Sequence, residues 1–240
     1  MKTLDRLKQD WGMATEIHKL EARLWRIAQR DGIKVILVTS AVRGEGKSTT
    51  VAFLATALAM SPERRILAVD LDLRDPQLAT HFAVSYSRGI DDLLAGRSSI
   101  EEATIRTKLP GLDLISAVPG VDDPAVLLRT TQLHELLRTV RARYDLIIVD
   151  SPALIPVADT SVLIPLSDAV LFVGMAGKTT KLQLSQARAQ CLGLGANLLG
   201  LVISNLREHE SEYGYVGSYY PAGNDRGAGA GEDSGIRDSD

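Results

Sequence analysis

The chain has 240 residues, of which 45% are hydrophobic and 24% charged, with a net charge of -3. That length supports one large α/β domain with a real core. The charge gives no basic field that would draw the chain to nucleic acid or anionic lipid, so no nucleic-acid partner is expected. A single cysteine, Cys191, excludes an internal disulfide and fits a packed helix position in a reducing compartment.

Residues 3 to 30 predict a helix. Leu4, Leu7, Trp11, Ile17, Leu20, Leu24 and Ile27 form one apolar stripe between charged faces. Gly12 weakens its first turns and can divide it in two. The stripe suits packing on the protein's own sheet, or docking on another subunit. The opening MKTLDRLKQDWG alternates charge with single apolar residues, unlike a signal peptide.

From Lys34 the chain alternates. KVILVTS, RILAVD, LDLISAV, DLIIVD, AVLFVG and LLGLVIS are short apolar runs of the kind that form strands buried on both faces. Helical patterns lie between most of them, at 47–60, 125–142, 158–166 and 180–193. This alternation predicts an α/β fold with a doubly wound, mostly parallel sheet. The longest apolar run, AVLFVGMAG, is too short to span a bilayer. From about Arg207 periodicity stops, and the Gly-, Asp- and Ser-rich end predicts disorder. The expected organisation is an amphipathic helical segment (1–30), a nucleotide-binding domain (31–206) and a flexible tail (207–240).

TSAVRGEGKSTT follows the first strand and opens a helix, the setting a phosphate-binding loop requires. Gly44 and Gly46, flanking Glu45, allow backbone N–H groups to turn inward around phosphate oxygens, and the helix N-terminus adds partial positive charge. Lys47 is placed to reach the β- and γ-phosphates, and the Ser48 hydroxyl to complete a Mg²⁺ shell. The strict pattern has glycine at 41, where this chain has Ala41. Asp70 and Asp72 are one strand alternation apart at the end of ILAVDLD, and Asp150 ends LIIVD. Ligands of open α/β sheets sit beyond such strand ends, so three carboxylates can converge on metal and phosphate. Each alone could instead be a cap or turn residue.

With GEGKST, VDLDLRDPQL, YDLIIVDSPALIPVADT, GIDDLLAGRSSIEEA, GLDLISAVPGVDDPAVLL, AGKTT and VISNL, the sequence resembles the bacterial tyrosine kinases of capsule and exopolysaccharide synthesis, the BY-kinases, over about residues 16–222. These lie within the ATPase superfamily that includes the Min and Par switches. The resemblance implies that Lys47 and Ser48 bind phosphate and Mg²⁺, with Thr49 near the α-phosphate. It makes Asp70 the base that accepts the tyrosine proton, with Asp72 and Asp150 holding Mg²⁺ directly or through water. It places Asn205 near adenine and makes Tyr213, Tyr215, Tyr219 and Tyr220 an autophosphorylation cluster. It implies ATP and Mg²⁺ as cofactors, a homo-oligomer, a membrane-embedded polysaccharide copolymerase as activator and an opposing tyrosine phosphatase. The location implied is the inner face of the plasma membrane, reached through that partner. Members often carry Glu-x-x-Arg-x-x-Arg on the first helix to build a ring. Here Glu21 is followed at those spacings by Leu24 and Ile27, and Glu16 by Lys19 and Ala22.

The distance from the last strand to Tyr213 suggests transfer in trans, to a neighbour's tail. Two alternatives stand beside the kinase. A Min- or Par-like switch would carry a lysine where this chain has Val42. A non-catalytic ATP-binding scaffold of a membrane copolymerase would not need the acidic residues that are present here.

Overall fold

The computed structural model describes residues 9–121 and 123–206, together with Thr3 and Asp5. The first long helix, α1 (Trp11–Asp31), begins where the Asp10 carboxylate accepts the Met13 N–H and ends at Gly32, which is left-handed at φ 67. Both ends follow ordinary capping chemistry. The break therefore falls at Asp10, whose side chain competes for the backbone, and not at Gly12. Leu24 and Ala28 are buried against the domain, and Leu20, Trp25 and Ile27 pack beside them. Arg64 stacks on the Trp25 ring, 4.1 Å from its centroid, and pairs with Glu21. The part of the stripe formed by Leu20, Leu24 and Ile27 thus lies on the protein's own core, whereas Leu4, Leu7 and the Trp11 side chain lie outside the described residues.

The sheet is formed by β1 (Val35–Ser40), β2 (Ile66–Asp70), β3 (Ile105–Arg106), β4 (Leu112–Ile115), β5 (Leu146–Asp150), β6 (Ala169–Met175) and β7 (Leu198–Ser204), in the order β3-β4-β2-β5-β1-β6-β7. Every pairing is parallel except β3 with β4. All six apolar runs are strands. The short β3 was not anticipated, because one half-buried and one exposed residue carry no period.

Alternate side chains serve opposite faces. Ile36, Val38, Ile66, Ala68, Leu146 and Ile148 pack with α1 and α2 (Lys47–Leu58). Val35, Leu37, Leu67, Val69, Ile147 and Val149 pack with α4 (Ile90–Leu94), α7 (Thr131–Arg143) and α9 (Lys181–Gly193). The short helices α3 (Leu78–Phe82), α5 (Ile100–Ala103), α6 (Pro124–Leu127) and α8 (Asp159–Leu163) fill the connections. The pattern at 125–142 divides into α6 and α7 because Thr130 is extended, at ψ 154. Cys191 is fully buried in α9, as its composition suggested.

With every central strand buried on both faces, polar side chains collect at the carboxyl ends. Thr39, Ser40, Asp70, Asp150 and Ser151 are all fully buried there. No helix among the described residues is long and apolar enough to cross a membrane.

Candidate active site

The loop after β1 turns at Gly44 (φ 72) and Gly46 (φ 91), conformations that glycine adopts without penalty. Ala41 is buried and has no positive φ, so the departure from the strict glycine pattern costs nothing there. Gly46 caps α2 with no side-chain partner, which leaves the first turn of the helix facing the loop. Lys47 opens that helix, nearly buried, with its Nζ 4.0 Å from Asp72 Oδ2. Ser48 and Thr49 follow it, half-buried, and Thr49 Oγ1 lies 3.5 Å from His81 Nε2.

Glu45 is fully buried, but its carboxylate faces the protein. It accepts from the Val42 N–H at 2.8 Å and from the Thr179 hydroxyl. Only the Glu45 backbone is left to face a phosphate. Asn205 follows β7 at φ 59, exposed, directly after Ser204, whose hydroxyl donates to Glu45 O at 2.8 Å. The structure therefore brings VISNL to the rim of the phosphate loop.

β2 and β5 are adjacent and in register, so Asp70 pairs with Asp150 at their carboxyl ends. Asp150 is held there by the segment that follows it. Ser151 Oγ donates to Val38 O, Thr39 Oγ1 to Pro152 O, and the Leu154 N–H to Ser40 O. Both oxygens of Asp150 are buried and neither has a hydrogen bond of normal geometry, although the Ser48 hydroxyl and the Ser151 N–H lie near enough to pull its pKa down. Burial pushes its pKa to about 7, against the pull of Lys47 and the nearby Ser48 hydroxyl. Asp72 is 8% exposed, and burial raises its pKa also, opposed by Lys47.

Asp70 differs. Its Oδ1 accepts from the Asp72 N–H at 3.2 Å, and its Oδ2 from the N–H groups of Gln77 and Leu78 at 3.0 Å each. It anchors the acidic loop and the start of α3. Burial, and then the charge of Asp150, raise its pKa well above the carboxylate range. The far side of the same loop is tied by Arg74, which donates Nε and Nη2 to Asp159 at 2.6 and 3.2 Å.

The donor types gathered here suit a divalent cation. An orphaned, buried carboxylate beside a hydroxyl and a second carboxylate is the donor set of a hard cation. Ser48, Asp72 and Asp150 would hold Mg²⁺, which when bound neutralises charge on phosphate oxygens. No three His, Cys, Asp or Glu side chains among the described residues are placed to enclose an ion. This suits Mg²⁺, which keeps several waters and shares phosphate ligands.

Sequence reasoning missed three features. Lys178 and Thr179, in the β6–α9 connection, reach the phosphate loop, and so does Ser204. On α1, Arg23 and Arg26 are exposed and stand three and six residues after Leu20, so the family's Glu-x-x-Arg-x-x-Arg spacing lacks its glutamate here. Tyr213, Tyr215, Tyr219 and Tyr220 lie outside the described residues.

A phosphate loop at the end of β1, with carboxylates ending β2 and β5, defines a nucleotide-binding α/β protein. Comparison agrees: the family described as AAA domain matches residues 33–186. The tyrosine-protein kinase YwqD of Bacillus subtilis is 36% identical over 188 residues, 78% of each chain. EpsB of Ralstonia nicotianae is 33% identical over 203 residues, which are 85% of this chain and 27% of that protein. The solved BceF tyrosine kinase domain is 28% identical, with a TM-score of 0.71 over 78% of this chain and 75% of that one. The chain belongs to the AAA domain family and, within it, to the bacterial tyrosine-protein kinases.

Proposed function

We propose that the chain is an ATP- and Mg²⁺-dependent protein tyrosine autokinase that acts on its own C-terminal tyrosines in trans and regulates capsular or exopolysaccharide synthesis. The kinship with tyrosine-protein kinases supports the reaction, and Asp150 supports the cation: a carboxylate wholly buried beside the phosphate loop with no hydrogen bond of normal geometry to either oxygen. An ion pair or cap would have satisfied it, whereas a site awaiting a cation would not.

The proposed roles follow from position. The loop N–H groups, the α2 N-terminus and Lys47 bind and orient the phosphates. Ser48, Asp72 and Asp150 hold Mg²⁺, and Asn205 contacts adenine. Proton acceptance from tyrosine falls to the Asp70–Asp72 pair. Raised proton affinity suits both. Asp70 also fixes the loop, and only Asp72 has an exposed edge. Phosphoryl transfer asks mainly for such positioning and charge stabilisation.

Reach does not separate cis from trans. From β7 to β5 is three strand steps, roughly 14 Å at about 4.8 Å each. Tyr213 stands nine residues beyond Ser204, up to about 30 Å of extended chain. The trans reading instead rests on the family resemblance and on exposed Arg23 and Arg26, which suit a homo-oligomer contact. The activator would be a membrane copolymerase, with a phosphatase opposing the kinase.

The test mixes two chains with Mg-ATP and a candidate activator. One is Lys47→Met with intact tyrosines, and the other is active with all four tail tyrosines changed to Phe. Phosphotyrosine on the Lys47→Met chain is the expected result. Phosphotyrosine only on unmixed wild type would show transfer in cis.

A further inference from the structure

We propose that Lys178 is a positioning residue for the nucleotide: with Ser204, it fixes the phosphate loop in its anion-binding conformation before ATP arrives. Lys178 Nζ donates to the carbonyls of Arg43 and Gly44, at 2.7 and 3.1 Å. Ser204 Oγ donates to the next carbonyl, that of Glu45, at 2.8 Å. Three consecutive loop carbonyls are thereby held from the direction of β6 and β7.

A peptide unit is planar and trans, so its C=O and the following N–H point in opposite directions. Holding the carbonyls of residues 43, 44 and 45 outward turns the N–H groups of Gly44, Glu45 and Gly46 the other way. Successive N–H groups turned to one side make an anion-binding concavity. The ammonium group also completes the carbonyls' hydrogen bonding, so binding phosphate need not reorganise them. Thr179 extends the brace. It accepts the Met175 N–H at 2.7 Å and donates to the buried Glu45 carboxylate, which in turn holds Val42 N–H.

Gly44 is fitted to this arrangement twice over. Its φ is 72, and a Cβ there would lie 2.7 Å from Lys178 Nζ. Any side chain at 44 would push the ammonium off the loop. A lysine from 134 or more residues away thus reaches the loop from outside.

The inference rests on the nucleotide reading of this loop, and the test separates the two. Calorimetric titration with Mg²⁺ and a non-hydrolysable ATP analogue would be run on wild type, Lys178→Ala, Lys178→Arg and Ser204→Ala. The kinetics of tail phosphorylation would be run beside it. Lys178 is exposed, so these variants should fold, and melting of the nucleotide-free proteins checks that. The expected results are binding about tenfold weaker for Lys178→Ala, with KM for ATP rising in parallel and kcat within about twofold. Lys178→Arg should recover most of the loss, and Ser204→Ala should lose about threefold. Unchanged affinity in Lys178→Ala would overturn the inference. So would a fall in kcat at unchanged affinity, which would make Lys178 a group acting on the transferring phosphoryl. Wild type that fails to bind the analogue would sink the nucleotide reading itself.

Discussion

Two aspartates at opposite ends of the sheet show how one side chain serves stability at one end and function at the other. At the amino end, Asp168 accepts the N–H groups of Lys34 and Val35 at 2.8 Å each and two bonds from Arg141 at 2.8 and 2.7 Å. Burial alone would raise its pKa, but Arg141 and the two N–H groups outweigh burial and hold it below the ordinary value. At the carboxyl end, Asp150 is buried with no hydrogen bond of normal geometry to either oxygen, and burial raises its pKa to about 7 despite the nearby Ser48 hydroxyl and Ser151 N–H. The fold gives the first carboxylate four short hydrogen bonds and the second none of normal geometry. An unpaired buried carboxylate costs stability, and a cation that binds there recovers it.

The largest expected effect removes the positive partner of this centre. Lys47→Met should lower tail phosphorylation about a thousandfold or more, measured as initial rate at saturating Mg-ATP. Asp150→Asn should follow at about a hundredfold. Yet above pH about 7 the nucleotide-free variant should melt higher than wild type, by on the order of 1 kcal/mol, since no buried charge remains to be ionised. Asp168→Asn should reverse that pattern. Stability should fall by about 2 kcal/mol in denaturant titration, while kcat stays within about twofold of wild type.

The pH dependence sharpens the same contrast. Asp150 binds its proton more tightly folded than unfolded, so between about pH 4 and pH 7 the native state holds more protons. The contribution of Asp150 to stability therefore falls as pH rises through that window, and is flat above it. Asp168 has the opposite sign: its contribution is present above the ordinary carboxylate pKa and is lost as pH falls through its lowered value. Thermal melting of metal-free protein across that range should show the first slope, and Asp150→Asn should flatten it. The smallest effect expected is from Arg74→Ala. It leaves Asp159, 2% exposed, without its bidentate partner, and should cost about 1 kcal/mol, because the Arg74 side chain is itself 43% exposed.

Legibility in the sequence followed the range of the interactions. The parallel strands were readable because each is an uninterrupted apolar run, and the phosphate loop because its residues are consecutive. The short helices α3, α4 and α5 have four or five residues each, too few for a period to show. The acidic residues were found, but not the division of labour among them. That Asp70 anchors Gln77 and Leu78 follows from how the chain turns back after β2. Lys178, Thr179 and Ser204 were visible only as pieces of family segments, because 134 to 159 residues separate them from the atoms they hold.

The most direct test of the central claim is phosphosite mapping by mass spectrometry. Wild type, Asp150→Asn and Lys47→Met would each be incubated with Mg-ATP and the candidate membrane activator. Phosphate is expected on one or more of Tyr213, Tyr215, Tyr219 and Tyr220 in wild type, reduced to trace in both variants. Tail tyrosines that stay bare in wild type with ATP bound, or that are phosphorylated equally in Asp150→Asn, would contradict it.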